Sequence, residues 1–577
     1  MRPVCLTCTR CWRTAPAILI LFVTVTQGAQ AQAEVVEIVR QGQQVPGLPC
    51  AATITNFDSP PTLTDAGYVA LRLHVDGPCI DPNTTAGTIY RWDPTGGLRF
   101  VVQQGSPLPA FAGLSYRPQG TQVLAFLETP IADDAGKVAF TALLDTGDRA
   151  LLIWTPGENE GADVLDVALV VGDIVPNMVG HTIGGGTFNF DGEIVTMATF
   201  DQRAAAAFRF GRVFFRAAVD PVSLPGLPDA IWLYESDSLS LTNISNGFQR
   251  LELSNPMNLA FWEGYPNLGF VETGSGLSGV ALVSQAPTRS ITQFSDQNPN
   301  SHLILTRYHP PPGGFPELDY RTNGFDHSVA AGMDPTQEDN PGDEDFIGVW
   351  LNLSQVYSNT VTPAEGVIGS TLATPVSQTI TVNPAKSVFA AQMTGGDGDG
   401  KRGVWIGTQP GDHQLIGWEG LIVDQFPNTV ILQEIFTVHV GSGGPIVLHA
   451  RLHTPALGTN REVLYRWDPV AGLVEVLSQG DSLTVGGQPV VISGFLALGF
   501  GGAPTGPVIS GTGLDGHLSA MNGGSEFAFL VLYEPASGPR GEGAVEVGAF
   551  SIDLVDELIF ADDFESGDSS AWTDTVP

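Results

Sequence analysis

The sequence predicts an all-β chain built from repeated sheets, and three observations carry that expectation. The phrase Tyr90-Arg91-Trp92-Asp93-Pro94, followed by Gly97-Leu98 and Gln104-Gly105-Ser106, returns about 375 residues later as Tyr465-Arg466-Trp467-Asp468-Pro469, Gly472-Leu473 and Gln479-Gly480-Asp481. A repeat with conserved internal offsets points to stacked supersecondary units. Composition is the second observation: 69 Gly and 42 Pro are spread along the chain, and no apolar helical periodicity is sustained beyond the N-terminal leader. Short Val-, Ile-, Phe- and Tyr-rich segments between Gly, Pro, Asp and Asn are strand and turn signals. The third is that the two chain ends read as complementary halves of one repeat. Together these predict a single β-propeller, with eight blades favoured and seven the alternative.

The elements follow in order. Residues 1–33 read as a secretory signal: Arg2, Arg10 and Arg13 precede the apolar run Ala15 to Val25, and Ala29-Gln30-Ala31 or Ala31-Gln32-Ala33 offers a small-residue cleavage site. The run is too short for a bilayer span, which needs about 20 apolar residues. Cys5, Cys8 and Cys11 fall inside the leader, so the remaining pair, Cys50 and Cys79, is expected to form a disulfide in an exported chain. Two separate thiols are the alternative.

Residues 34–550 are expected to form the repeat domain. Each unit opens with a turn and a strand ending in small residues, as in Asp65-Ala66-Gly67-Tyr68-Val69-Ala70, Asp134-Ala135-Gly136-Lys137-Val138-Ala139-Phe140 and Asn383-Pro384-Ala385-Lys386-Ser387-Val388-Phe389-Ala390. A second strand ends near Trp92, Trp154, Trp232, Trp350, Trp405 or Trp467, with Tyr533 taken as its equivalent in the last unit. A turn such as Asp93 to Gly97 reverses the chain. A third strand leads to a Gly-Asp or Gly-Ser step and a prolyl loop, and a weaker fourth strand is expected to close the unit. First strands near positions 67, 136, 212, 280, 329, 388, 447 and 518 make eight units. The unit around Val280 to Tyr320 lacks the tryptophan, and without it the count is seven.

Glu37 to Gly47 matches a third strand and prolyl loop, and Gly516 to Glu534 supplies a first half. Joining them closes the ring and leaves no exposed sheet edge. A linear solenoid would not need complementary halves. The small residues Ala70, Ala139, Ala330, Ala331, Ala390 and Ala391 suit an innermost strand, and the recurring Trp suits packing between blades. Trp-Asp at 92–93 and 467–468 lacks the Gly-His companion of a WD40 repeat.

The turn-strand phrase resembles the tandem Asn-x-x-Gly-x-x-Ala-Phe repeats of uncharacterised bacterial secreted proteins, which also carry Tyr-x-Trp and Gly-Asp-x-Pro elements. The resemblance covers most of residues 34 to 550. It implies no reaction, cofactor or catalytic residue. The acidic tail, 551–577, contains Phe564-Glu565-Ser566-Gly567-Asp568 and is similar to short endings found on many exported bacterial proteins.

Charge narrows function. The chain carries 25 basic and 61 acidic side chains, a net −36 that becomes −39 once the three leader arginines are removed. Lysine occurs only as Lys137, Lys386 and Lys401. Nucleic acid is excluded as a partner, because phosphate binding needs clustered Lys and Arg. No zincin, P-loop or nucleophile-elbow motif occurs. His439 and His449 lie close together without metal-ligand spacing and are expected to be structural. The candidate metal residues are Asp397 and Asp399 on one Gly-rich loop, with Asp343 and Asp345 on its counterpart in the neighbouring unit. Such carboxylates can offer hard oxygens to Ca²⁺, though full EF-hand spacing is absent and solvated turn residues are the alternative. No cofactor is required and Ca²⁺ is the one suggested.

Three functions stay open. The favoured one is a non-catalytic extracellular binding or scaffold propeller, monomeric, with an unknown protein or glycan as ligand. The others are a propeller hydrolase or lyase acting on extracellular polysaccharide, marked by converging carboxylates, and a structural component of a matrix or envelope. Each places the chain outside the cytoplasm, secreted, on the cell surface or in the periplasm.

Overall fold

The structure is a computed structural model. It describes most of residues 35–170 and 362–554, and between 182 and 358 it describes separate strands by their backbone, with the side chain of Val356 in addition. Residues 1–34 and 555–577 lie outside the described residues. One compact unit runs from Ala33 to Asp556.

Among the described residues, eight sheets share one antiparallel strand order, here lettered a to d, and in sheet 7 Val508–Ser510 is added in parallel to strand a. Sheet 1 has Ala52–Phe57 continued by Thr62–Leu63 as a, then Val69–Asp76, Gly87–Asp93 and Gly97–Gln103. Sheet 2 has Leu124–Leu127 with Ile131–Ala132, then Val138–Leu144, Arg149–Thr155 and Val164–Val170. The b strands of sheets 3, 4 and 5 are Arg212–Asp220, Gly276–Gln285 and His327–Gly332. Sheet 6 is centred on Lys386–Thr394 and Arg402–Gly407, and sheet 7 on Ile446–Thr454 and Thr459–Asp468, with Val430–Val440 as its a strand. Sheet 4 thus keeps the common order although its sequence lacks the tryptophan phrase.

Sheet 8 is assembled from both chain ends. Gln488–Phe495, Glu526–Pro535 and Glu546–Asp553 supply strands a to c, and the N-terminal Val35–Arg40 is strand d, with Val35 opposite Ile552 and Arg40 opposite Gly548. Glu37 fastens the strand further by accepting a hydrogen bond from Gly486 N at 2.7 Å. Strand c runs to Asp553, a little past the boundary expected at 550. Tyr533 lies on strand b, so it is not the equivalent of the recurring tryptophan, and the last b strand begins at Glu526 rather than near 518.

Two further expectations are corrected by hydrogen bonding. The weak strand after each prolyl loop opens the next sheet instead of closing its own. The glycine that ends strand d donates its N–H to the a strand of the following sheet: Gly42 to Ile54 O, Gly105 to Leu124 O, Gly420 to Leu432 O and Gly480 to Ile492 O, at 2.7–2.8 Å. All four glycines have positive φ, from 77 to 118°, a backbone state that side chains disfavour. The strand that ends in small residues is therefore b, second in its sheet, and not an edge strand.

Its alanines serve the seams between sheets. Side chains alternate along b, so one set faces the preceding sheet and the other the following one. Val69, Leu71 and Leu73 share a core with Phe527 and Phe529 of sheet 8, whereas Ala70 belongs to the core around Phe140 and Trp154 of sheet 2. In sheet 6, Phe389 and Ala391 pack with Val356 of sheet 5, and Val388 and Ala390 with Leu448 of sheet 7. Val447 and Leu464 of sheet 7 join the core of sheet 8. Packing is thus continuous from sheet 5 through 6, 7, 8 and 1 to sheet 2.

The repeated phrase is explained by these seams. Trp154, Trp405 and Trp467 are buried against the preceding sheet, and Trp92 packs on the core shared with sheet 8. The arginine between Tyr and Trp points the other way. Arg91 Nη1 donates to Gly136 O of sheet 2 at 2.8 Å, and Arg466 Nη1 donates to Leu554 O at the end of sheet 8. Gly136 has φ 74°, and a Cβ there would come within 2.3 Å of Arg91 Nη1. The aspartate then caps the turn: Asp93 accepts from Thr95 N and Gly96 N at 2.8 and 3.0 Å, and Asp468 from Val470 N and Ala471 N at 2.7 Å. These bonds hold both carboxyls below the usual aspartate range.

Candidate functional site

Antiparallel order places the b–c connection of a sheet beside the start of its a strand, so b–c loops meet the loops that enter from the preceding sheet. In sheet 1 the two are joined by the expected disulfide: Cys50 on the entering loop is bonded to Cys79 on the b–c loop, with Cα atoms 5.9 Å apart. Replacing both cysteines by serine is expected to cost about 3.6 kcal/mol, the chain-entropy value for a loop of this length, read as a lowered urea midpoint.

In sheet 6 the same pair of loops meets without a covalent bond. Ser370 Oγ donates to Gly395 O at 2.8 Å and accepts from Gly398 N at 2.9 Å, and Asp397 N donates to Ile368 O at 3.1 Å. This is the loop of the candidate metal residues Asp397 and Asp399. Asp399 turns back to accept from Gly395 N at 2.9 Å, Asp397 is exposed, and Lys401 Nζ donates to Asp397 O at 3.1 Å. Asp343 and Asp345 lie outside the described residues, in the connection between the b and c strands of sheet 5. Among the described residues, no group of three His, Cys, Asp or Glu side chains is arranged to hold a metal.

The histidines lie in seams. His439 is fully buried between sheets 7 and 8, 3.2 Å from Thr437 Oγ1 and packed on Phe527. His449 is buried beside it against Phe436 and Phe495, with Nε2 3.5 Å from Glu462 Oε2. Burial, reinforced by His449, pushes the His439 imidazole down to about 3. Burial would raise the Glu462 carboxyl, but the contact with His449 and the Phe495 N–H, which donates at 2.9 Å, hold it below its usual range. His413 is also pushed down by burial, although its Nε2 lies 2.8 Å from Val356 O.

Two carboxyls rise. Burial lifts Asp166 in sheet 2, and burial with the neighbouring Asp553 lifts Glu526 in sheet 8, where Asn522 Nδ2 donates to it at 2.9 Å. They stand on different sheets.

A further polar group was not visible as a motif. At the seam between sheets 1 and 2, Arg72 and His74 on strand b stand beside Asp58, at the end of strand a, and the Arg72 guanidinium lies over Phe126 of sheet 2. The signal was Leu71-Arg72-Leu73-His74-Val75, in which the face towards sheet 2 is polar and the other apolar.

Residues 24–249 match a family of unknown function, DUF7453. That match takes in sheets 1 and 2 and the disulfide, and covers less than half of the chain. No curated protein matches. Among solved structures, the WD40 domain of SCAP from fission yeast is similar at 11% identity and a TM-score of 0.34, with 91% of this chain and 99% of that one covered. The Dos1 propeller is similar at 8% identity and 0.26, covering 90% and 93%. A Trypanosoma rangeli sialidase in complex with the inhibitor DANA is similar at 10% identity and 0.27, covering 75% and 59%. At these TM-scores the architecture rests on the sheet order and the seams described above.

Proposed function

We propose that the eight sheets close into one eight-bladed propeller, and that the chain is an exported, monomeric, non-catalytic binding or scaffold protein with a glycan or protein ligand. The observation that carries this reading is the commitment of the repeated side chains to the fold. The Tyr-Arg-Trp-Asp phrase packs, clasps and caps, and His413, His439 and His449 are enclosed by seams. The groups left to meet a ligand lie in loops and seam mouths that differ from sheet to sheet, where a rigid scaffold commonly carries function. The paired Cys50 and Cys79 favour export, and the bacterial repeat proteins that the turn-strand phrase resembles are secreted.

The polysaccharide hydrolase alternative has one observation in its favour: Glu526 and Asp553 are opposite one another across strands b and c of sheet 8, and the Glu526 carboxyl is raised. Paired carboxyls of this kind serve general acid chemistry. Calcium at Asp397 and Asp399, with Asp343 and Asp345 on the neighbouring blade, is kept as part of the proposal. Thermal unfolding of the purified protein with EDTA, Ca²⁺ and a panel of oligosaccharides tests all three. We expect stabilisation by an oligosaccharide with no release of new reducing ends. Product release would replace the binding reading by the enzyme, and a shift with Ca²⁺ reversed by EDTA is expected if the acidic loops bind metal. No shift with any saccharide would remove the glycan as ligand and leave a protein.

A further inference from the structure

The geometry points to a saccharide subsite at the mouth of the seam between sheets 1 and 2, formed by Asp58, Arg72, His74 and Phe126. This deepens the binding reading and rests on it. Phe126 is 42% exposed, and the Arg72 guanidinium lies over its ring at 4.6 Å from the centroid. Arg72 Nε is 3.6 Å from Asp58 Oδ2, and His74 Nδ1 is 3.8 Å from the same oxygen. These are ion-pair distances longer than a hydrogen bond, and a hydroxyl or water lying to one side can bridge the carboxylate to either donor. Among the described residues the three polar side chains form no hydrogen bond, although the Arg72 and Asp58 side chains are only 14% and 18% exposed.

The seam between sheets 7 and 8 provides an internal comparison. There Arg451 also lies over a phenylalanine, Phe436, at 4.8 Å, but it donates to Glu434 at 2.8 Å, and His449 beside it is enclosed. In that seam the arginine and its carboxylate are hydrogen-bonded, whereas in the first seam Arg72 and Asp58 stand at ion-pair distance without a hydrogen bond, beside a His74 side chain that is 39% exposed. A carboxylate acceptor, guanidinium and imidazole donors, and an exposed aromatic face match what a pyranose presents: adjacent hydroxyls on its edge and C–H groups on its face. The net charge of −36 opposes an anionic ligand, so the subsite is assigned to a neutral sugar.

The test is a glycan array probed with the full chain, the neutral glycan giving the strongest signal being carried forward to titration. Phe126→Ala and Asp58→Asn are each expected to weaken that glycan about tenfold or more, the effect of losing a binding hot spot, while Arg451→Ala leaves affinity unchanged. The unfolding midpoint of each variant checks that it has folded, and Asp58→Asn keeps the test valid should Phe126→Ala unfold. Undiminished binding in folded variants would overturn the subsite and leave the binding reading standing elsewhere on the molecule. An array with no neutral glycan bound, or with acidic glycans alone, would overturn it too, and the broader reading is then judged by its own stabilisation assay.

Discussion

Trp405→Ala is expected to remove about 3–5 kcal/mol from the stability of the protein, the usual loss for emptying a large aromatic site in a packed core. The side chain is fully buried in the seam between sheets 5 and 6, stacked on Phe389 with centroids 6.0 Å apart. Its Nε1 donates to Glu365 O at 3.0 Å, so the substitution also leaves a carbonyl without its partner. Neighbours have little room to close in from rigid strands on both sides, and the cavity should persist. Trp154→Ala, in the seam between sheets 1 and 2, is expected to fall in the same range. Val470→Ala, at a turn tip that is 95% exposed, is the control, with a change of about 0.5 kcal/mol or less. Urea unfolding of the three variants checks the series. Equal effects at positions 405 and 470 would mean that the recurring tryptophan does not hold the seams.

Acid is expected to weaken the seam between sheets 7 and 8 before the carboxylates titrate. His439 has a folded value of about 3, against about 6.5 for an unperturbed imidazole. The unfolded chain therefore takes up a proton that the folded chain refuses. Stability from this group is complete above pH 6.5 and declines as pH falls towards 3, by about 1.4 kcal/mol per pH unit. That amounts to about 3 kcal/mol by pH 4. His413, also pushed down by burial, acts in the same direction, as do Asp93, Asp412, Asp468 and Glu462 once the pH reaches the carboxylate range. Glu526 and Asp166, whose carboxyls are raised, work against them. The measurement is urea stability between pH 7 and 5, the range in which an unperturbed imidazole takes up its proton, in the native chain and in His439→Gln. The variant should be less stable at pH 7 and should lose one proton's worth of slope. Identical slopes would exclude His439 as the source.

The parts of the fold that could be read in the sequence are those where one short phrase does several jobs at once. Tyr90-Arg91-Trp92-Asp93 had to recur because packing on one face, a clasp on the other and a turn cap occupy consecutive residues. The Gly step was equally visible, but its meaning was not. Whether the strand after Gly105 pairs backwards or forwards depends on a hydrogen bond to Leu124, and nothing in the local pattern distinguishes the two. Tyr533 was misplaced for a related reason: a large aromatic on an apolar strand looks the same on strand b as on strand c. The polar mouth of the first seam was hidden because Asp58, Arg72, His74 and Phe126 come from three strands across two sheets. Sequence spacing carries no trace of such a meeting.

The order in which sheet 8 receives its strands has a consequence for synthesis. Val35–Arg40 leaves the ribosome about 500 residues ahead of Glu546–Asp553, its partner in the sheet. At usual elongation rates of about 5–20 residues per second, that is an interval of roughly half a minute to a minute and a half. Through that interval the strand has no edge to pair with, while each of the earlier sheets can form as soon as its own four strands are made. Completion of sheet 8 thus waits for residues 546–553 and depends on a stretch of chain made about 500 residues earlier. A ribosome that stops anywhere before residue 546 releases a product in which up to seven sheets can be intact and the eighth cannot.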